Sequence, residues 1–215
     1  MESDSRLYLI TPPVIADLKK FREDFSRALG AGDVACVQLR PKDAQGVSAS
    51  DDEILRAADM LAPVARKNGT AFLINDRPDL ALKCGADGVH VGQSDESCKK
   101  ARALLGGEAS IGVTCHNSKH LALEAGEDGA DYVAFGAFFP TRTKAASTTA
   151  EVSLLEWWSY ATTVPCVAIG GITPENCAPL VRAGADFLAV SSAVWDCPEG
   201  PDAAVKAFMK AIAAA

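Results

Sequence analysis

Hydroxyls and cations alternate in Pro140-Thr141-Arg142-Thr143-Lys144. Arg offers a planar fork of donors, Lys a compact charge, and two hydroxyls add further donors, a set suited to phosphate. Read alone, the run is equally well a solvated loop. A second basic group lies in Gln38-Leu39-Arg40-Pro41-Lys42, where a period of two puts Gln38, Arg40 and Lys42 on one side of an extended segment. Asn75-Asp76 and Gly92-Gln93-Ser94-Asp95 each end in a carboxylate. Asp76 and Asp95 together could share one hard divalent cation, since magnesium takes one or two carboxylates plus substrate phosphate. Taken singly, each is also a good helix N-cap. Thr114 can donate to a ligand oxygen, and His116 suits acid–base work or a capping role. Gly170-Gly171 and Ser191-Ser192 let backbone N–H groups come close to an anion. Two anion sites are thus expected. One joins Arg40, Lys42, Lys144 and a metal and fits a diphosphate; the other joins Gly171, Ser191 and Ser192 and fits a monophosphate.

The elements that must position these residues are marked by a recurring phrase. Gly30-Ala31-Gly32-Asp33, Gly85-Ala86-Asp87, Gly129-Ala130-Asp131 and Gly184-Ala185-Asp186 each follow a helical pattern and precede an apolar, β-rich run. Glycine stops a helix at low cost, and helix, stop and strand in repetition is the pattern of βα units with a parallel sheet. The pattern predicts strands over 7–10, 34–39, 71–74, 88–91, 110–113, 132–135, 166–169 and 187–190. Helices are predicted over 16–29, 51–67, 77–84, 95–105, 117–127, 153–161, 174–183 and 201–213. Thr173-Pro174-Glu175 reads as a helix start with Thr as N-cap, and Asp76-Arg77-Pro78 as another. Eight alternating units favour a single (β/α)8 TIM barrel over 1–215, with an open doubly wound sheet as the structural alternative. In a barrel every candidate above falls where a strand runs into its following loop, which is where barrel enzymes place their chemistry. His90 lies inside an apolar run and reads as a hydrogen-bonded core residue; Trp157 and Trp158 read as packing. The least regular segment is 145–152, either a lid or a long loop.

Composition narrows the function classes. The chain has 215 residues, 48% of them hydrophobic, enough for a full core. Its net charge of −7 argues against a general nucleic-acid binder and makes clustered cations more telling. Seven cysteines without metal spacing point to scattered thiols in a reducing compartment, Cys115 among them as a packed thiol. No apolar run approaches the roughly 20 residues of a membrane span. A cytoplasmic protein acting on small molecules is expected; a homo-oligomer is compatible with the sequence but not specified by it.

Taken together, these residues resemble the thiamine-phosphate synthase (thiamine-phosphate pyrophosphorylase) family from about Leu7 to Ala213. The resemblance rests on Gln38-Leu39-Arg40-x-Lys42, Asn75-Asp76, Gly88-Val89-His90-Val91-Gly92-Gln93-x-Asp95, Pro140-Thr141-x-Thr143-Lys144 and Ile169-Gly170-Gly171-Ile172, in that order. It implies coupling of hydroxymethylpyrimidine diphosphate to hydroxyethylthiazole phosphate, giving thiamine phosphate and pyrophosphate, assisted by Mg²⁺ on Asp76 and Asp95. It assigns Gln38, Arg40, Lys42, Asn75, Thr114 and Lys144 to the pyrimidine diphosphate, with Arg40, Lys42, Lys144 and Thr114 carrying catalysis. It assigns Thr141, Arg142, Thr143, Gly171, Ser191 and Ser192 to the thiazole phosphate. Diphosphate departure would precede attack by the thiazole nitrogen, so no protein nucleophile is needed. Pro41 stands where the family commonly has an acidic residue, and Thr114 where Ser is frequent.

Two other readings remain open at this level. A thiazole tautomerase of the same fold would use a general acid–base, for which His116 is the candidate. Tautomerisation does not require Arg40, Lys42, Asp76, Asp95 or Lys144. A non-catalytic paralogue that binds thiamine phosphate would be expected to lose a catalytic-type residue, and none is visibly lost.

Overall fold

A computed structural model describes residues 5–42, 46–141 and 148–215. Eight parallel strands, β1 (Arg6–Ile10), β2 (Val34–Leu39), β3 (Ala71–Asn75), β4 (Gly88–Val91), β5 (Ser110–His116), β6 (Tyr132–Gly136), β7 (Cys166–Ile169) and β8 (Phe187–Val190), close into a barrel in chain order. Strand β1 pairs with both β2 and β8, which rules out the open-sheet alternative. The helices are α1 (Leu18–Leu29), α2 (Asp51–Lys67), α3 (Pro78–Cys84), α4 (Cys98–Leu105), α5 (Lys119–Glu127), α6 (Val152–Ala161), α7 (Ala178–Arg182), α8 (Ser192–Trp195) and α9 (Pro201–Ala213).

Strand alternation sorts the core into two layers. Tyr8, Ile10, Leu73, Tyr132, Ala134, Val167 and Ala189 fill the barrel interior. Their neighbours Leu7, Leu9, Val37, Leu39, Ile74 and Val89 face outward against helical residues such as Phe25, Leu61 and Phe208. In α1 the buried set Phe21, Phe25, Ala28 and Leu29 recurs at helical spacing, so one stripe covers the barrel. Trp158 is buried and its indole N–H donates to the Val164 carbonyl at 2.7 Å; Lys119 lies over Trp157, so both tryptophans pack. The seven cysteines are free thiols, and burial pushes Cys115 up to about 12, consistent with a packed thiol.

The recurring phrase has a structural purpose. Gly85, Gly129 and Gly184 take φ of 63°, 86° and 90°, conformations costly to any residue with a Cβ. The aspartate that follows closes a two-bond ring with the neighbouring strand. Asp87, Asp131 and Asp186 donate their N–H groups to Phe72, Ile111 and Cys166 carbonyls, and their carboxylates accept the N–H groups of the same three residues at 2.6–2.7 Å. One amide at the start of each of β3, β5 and β7 is thereby satisfied at the barrel's amino end.

Three boundaries differ from expectation. Thr173-Pro174-Glu175 does not begin α7. Asn176 accepts the Thr173 N–H at 2.8 Å, and the Asn176 and Cys177 N–H groups return to the Thr173 carbonyl, so a closed turn delays the helix to Ala178. Helix α4 starts at Cys98, capped by Ser97, because Asp95 is held back by the Gly92 N–H. The four-residue α8 after β8 was not anticipated.

Candidate active site

At the carboxyl ends of the strands the barrel opens into a cleft of about 1110 Å³. Closure brings together residues spread over most of the chain. Gln38, Arg40, Lys42, Asn75, Asp76 and Asp95 line one part, Gly171, Ser191 and Ser192 another, and Thr114, His116, Pro140 and Thr141 also face the space.

The first group forms a polar cluster. Gln38 Nε2 donates to Asn75 Oδ1 at 2.8 Å across adjacent strands β2 and β3. Lys42 Nζ meets Asp76 Oδ2 at 2.7 Å, and both side chains are largely buried. The Gly92 N–H holds Asp95 Oδ2 at 2.8 Å. The two carboxylates feel each other directly. Burial pushes the Asp76 carboxyl up, but hydrogen bonds from Lys42 and Asp95 outweigh it, leaving Asp76 below the usual carboxylate range. Asp95 sits above that range, raised first by burial and then by its proximity to Asp76, against the Gly92 N–H. Two crowded carboxylates facing a cleft are a donor set suited to a hard cation with oxygen ligands. Among the described residues no cluster of three or more His, Cys, Asp or Glu offers an alternative. Arg40 is partly buried, which lowers its guanidinium pKa, while the Asp76 charge opposes the shift.

Neither carboxylate caps a helix. Asp76 takes a left-handed φ of 62°, its N–H donating to the His90 carbonyl, and the α3 cap position falls on Arg77. Ser97 caps α4. His116 also lies at positive φ, 54°, at an irregularity in the β5–β6 register; Ser118 caps α5, leaving His116 facing the cleft. Non-glycine residues in that region are uncommon and cluster at functional sites.

In the second group Gly170 and Gly171 have φ of 106° and 62°. A Cβ on Gly171 would sit 2.3 Å from the Pro140 carbonyl oxygen, so only glycine allows the loops after β6 and β7 to touch. Asn176 Nδ2 holds the Gly171 carbonyl at 2.9 Å. Ser191 precedes α8, whose Trp195 indole N–H donates to the Ile10 carbonyl at 2.7 Å. After β6 the Ala137 N–H donates to the Thr148 carbonyl and the Ala150 N–H to the Ala137 carbonyl.

A family model described as thiamine monophosphate synthase matches residues 7–194. The chain belongs to this family. It is 58% identical to the thiamine-phosphate synthase of Rhodospirillum centenum over 206 residues, 96% of this chain and 97% of that one. It is 56% identical to the thiamine-phosphate synthase of Hyphomonas neptunium, covering 95% of this chain and 92% of the relative. The solved thiamine phosphate pyrophosphorylase from Pyrococcus furiosus superposes with a TM-score of 0.82 at 31% identity, covering 98% of this chain and 96% of that one. The family expected from the sequence, its transferase class and the barrel are therefore all met.

Of the expected site residues, Gln38, Arg40, Lys42, Asn75, Asp76, Asp95, Thr114, Thr141, Gly171, Ser191 and Ser192 all face one cleft. Arg142, Thr143 and Lys144 lie outside the described residues. His90 is the core residue expected, 8% exposed and hydrogen-bonded through both ring nitrogens. Sequence reasoning missed Asn176, whose turn position could have signalled it, and the Tyr8–Tyr132 pair. No local pattern reports that pair, because the two tyrosines meet only through barrel closure.

Proposed function

We propose that this cleft couples hydroxymethylpyrimidine diphosphate to hydroxyethylthiazole phosphate, releasing pyrophosphate and forming thiamine phosphate. One observation supports this above the rest: a cation–carboxylate cluster and a glycine–serine group line the same cleft. Arg40, Lys42 and Lys144, with Gln38, Asn75 and Thr114, bind the diphosphate. Thr141, Arg142, Thr143, Gly171, Ser191 and Ser192 bind the thiazole phosphate. Asp76 and Asp95 would hold Mg²⁺, which when bound offsets charge on the diphosphate oxygens.

In this reading the methylene C–O bond of the pyrimidine breaks first, its electron pair leaving with pyrophosphate. The thiazole nitrogen's lone pair then forms the C–N bond. Arg40, Lys42 and Lys144 stabilise charge that grows on the leaving group, a contribution largest in a water-poor site. The second pocket holds the thiazole nitrogen in position for capture. The coupling needs no protein nucleophile. The free thiols suit a reducing cytoplasm, and one domain over 1–215 carries the site.

Incubation with both phosphorylated substrates and Mg²⁺ is expected to yield thiamine phosphate and pyrophosphate in equal amounts. Isomerised thiazole phosphate alone would favour the tautomerase, and binding without turnover the paralogue. Lys144→Ala is expected to lower turnover by about a hundredfold, on the scale of removing one charge-stabilising donor, with Tm unchanged. Near-normal turnover would remove Lys144 from the leaving-group site.

A further inference from the structure

Three buried polar side chains lie in a row inside the barrel and lead to the cleft. Tyr8 Oη is 3.0 Å from Tyr132 Oη, Tyr132 Oη is 3.0 Å from His90 Nδ1, and His90 Nε2 is 2.8 Å from Thr114 Oγ1. Tyr8, Tyr132 and His90 are 2%, 8% and 8% exposed, whereas Thr114 is half-buried and lines the cleft. The row is built in. Gly112 stands where a Cβ would come within 1.9 Å of Tyr132 Cζ, so β5 leaves room for the Tyr132 ring. The His90 and Tyr132 rings stack at 5.6 Å, and the Tyr8 ring meets Tyr132 edge-on at 5.9 Å.

The far end of the row sets its direction. Among the described residues the Tyr8 hydroxyl has one hydrogen-bond partner, Tyr132. A buried O–H without an acceptor costs far more than an oxygen with a spare lone pair, because its proton has lost water and gained nothing. If Tyr132 donated to Tyr8, the Tyr8 proton would be stranded. If both Tyr8 and His90 donated to Tyr132, the Tyr132 proton would be stranded. In one arrangement every buried hydroxyl proton has an acceptor: Tyr8 donates to Tyr132, Tyr132 donates to His90 Nδ1, and His90 Nε2–H donates to Thr114 Oγ1. Thr114 then turns its own proton outward to the cleft.

We propose that Tyr8, Tyr132 and His90 are positioning residues that fix neutral His90 with its proton on Nε2 and so make Thr114 a committed hydrogen-bond donor to a substrate acceptor. Under the coupling reaction proposed above, on which this role rests, that acceptor belongs to the pyrimidine diphosphate. A committed donor does not reorganise when charge develops on its partner, which is how fixed dipoles lower a barrier. Residues that only orient a contacting group usually contribute less than the group itself, about 10–100-fold where ligand-orienting partners have been removed.

The test begins with the unmodified protein. ¹⁵N NMR of histidine-labelled protein sees only His90, His116 and His120, and loss of one signal in His90→Gln assigns His90. The expected result is an unprotonated Nδ1 and a protonated Nε2 without substrate. A proton on Nδ1, or an imidazolium, overturns the inference. The kinetic arm compares Tyr132→Phe, Thr114→Val and the double variant. Tyr132→Phe should lower kcat about tenfold with KM within about threefold, and add no loss once Thr114 is Val. Fully additive losses would mean that Tyr132 does not act through Thr114. The tautomer is read without turnover, so an inactive wild type would sink the coupling reading alone. Activity with an Nδ1–H tautomer would sink this one alone.

Discussion

Aspartates at the two ends of the barrel are treated in opposite ways. At the amino end Asp87, Asp131 and Asp186 are engaged with the backbone, each accepting a neighbouring strand's N–H while its own N–H closes the ring. At the carboxyl end Asp76 and Asp95 crowd each other beside a cleft, one held by Lys42 and the other by a single backbone amide. The first set ties adjacent strands together by their backbones. The second retains acceptor capacity that folding does not consume, at a left-handed backbone position in the case of Asp76. Under the proposed coupling, stability and chemistry separate along the barrel axis, and the same residue type serves both according to its surroundings.

The separation can be broken most sharply at Asp76. Asp76→Asn tolerates the left-handed conformation, so kcat/KM should fall about 10²–10³-fold while Tm moves by less than about 3 °C. A folded, fully active variant would place the chemistry elsewhere. Gly171→Ala should affect both properties, because φ is 62° and the new methyl meets the Pro140 carbonyl. We expect KM for the thiazole phosphate to rise about tenfold, with about 1–3 kcal/mol lost in urea unfolding. At the other end, Asp131→Ala strands the Ile111 N–H and removes a partner of Arg102. Unfolding free energy should drop about 1–3 kcal/mol while kcat/KM stays within about twofold. A large loss of activity there would blur the division between the ends. The smallest effect belongs to Arg6 and Asp33, an exposed pair at 2.7 Å in which the Arg6 hydrogen bond lowers the Asp33 pKa. A lowered carboxylate adds stability above its unfolded pKa and loses it as pH falls through the folded one. Arg6→Ala should therefore cost less than about 1 kcal/mol at pH 7, and the difference from wild type should vanish well below the ordinary Asp value of about 3.9.

The barrel was legible because its signals are local. Continuous apolar runs mark the strands, the glycine–alanine–aspartate phrase marks four of the helix stops, and the observed strands begin or end within a few residues of the predicted bounds. The strand-end residues that share the cleft were legible for the same reason. What escaped depends on side chains meeting across distance. Thr173 looks like an N-cap until Asn176 captures its amide. Asp95 looks like an N-cap until Gly92 claims its carboxylate. Tyr8 and Tyr132 are 124 residues apart and become one hydrogen-bonded unit only when β1 and β6 face each other inside a closed barrel.

³¹P NMR of a single incubation decides whether both proposed anion sites serve one coupling reaction. With pyrimidine diphosphate, thiazole phosphate and Mg²⁺ present, pyrophosphate and thiamine phosphate signals should grow in equal amounts, and neither should appear when Asp76→Asn replaces the wild type over the same interval. Pyrophosphate release without thiamine phosphate, or equal product formation by Asp76→Asn, would contradict it.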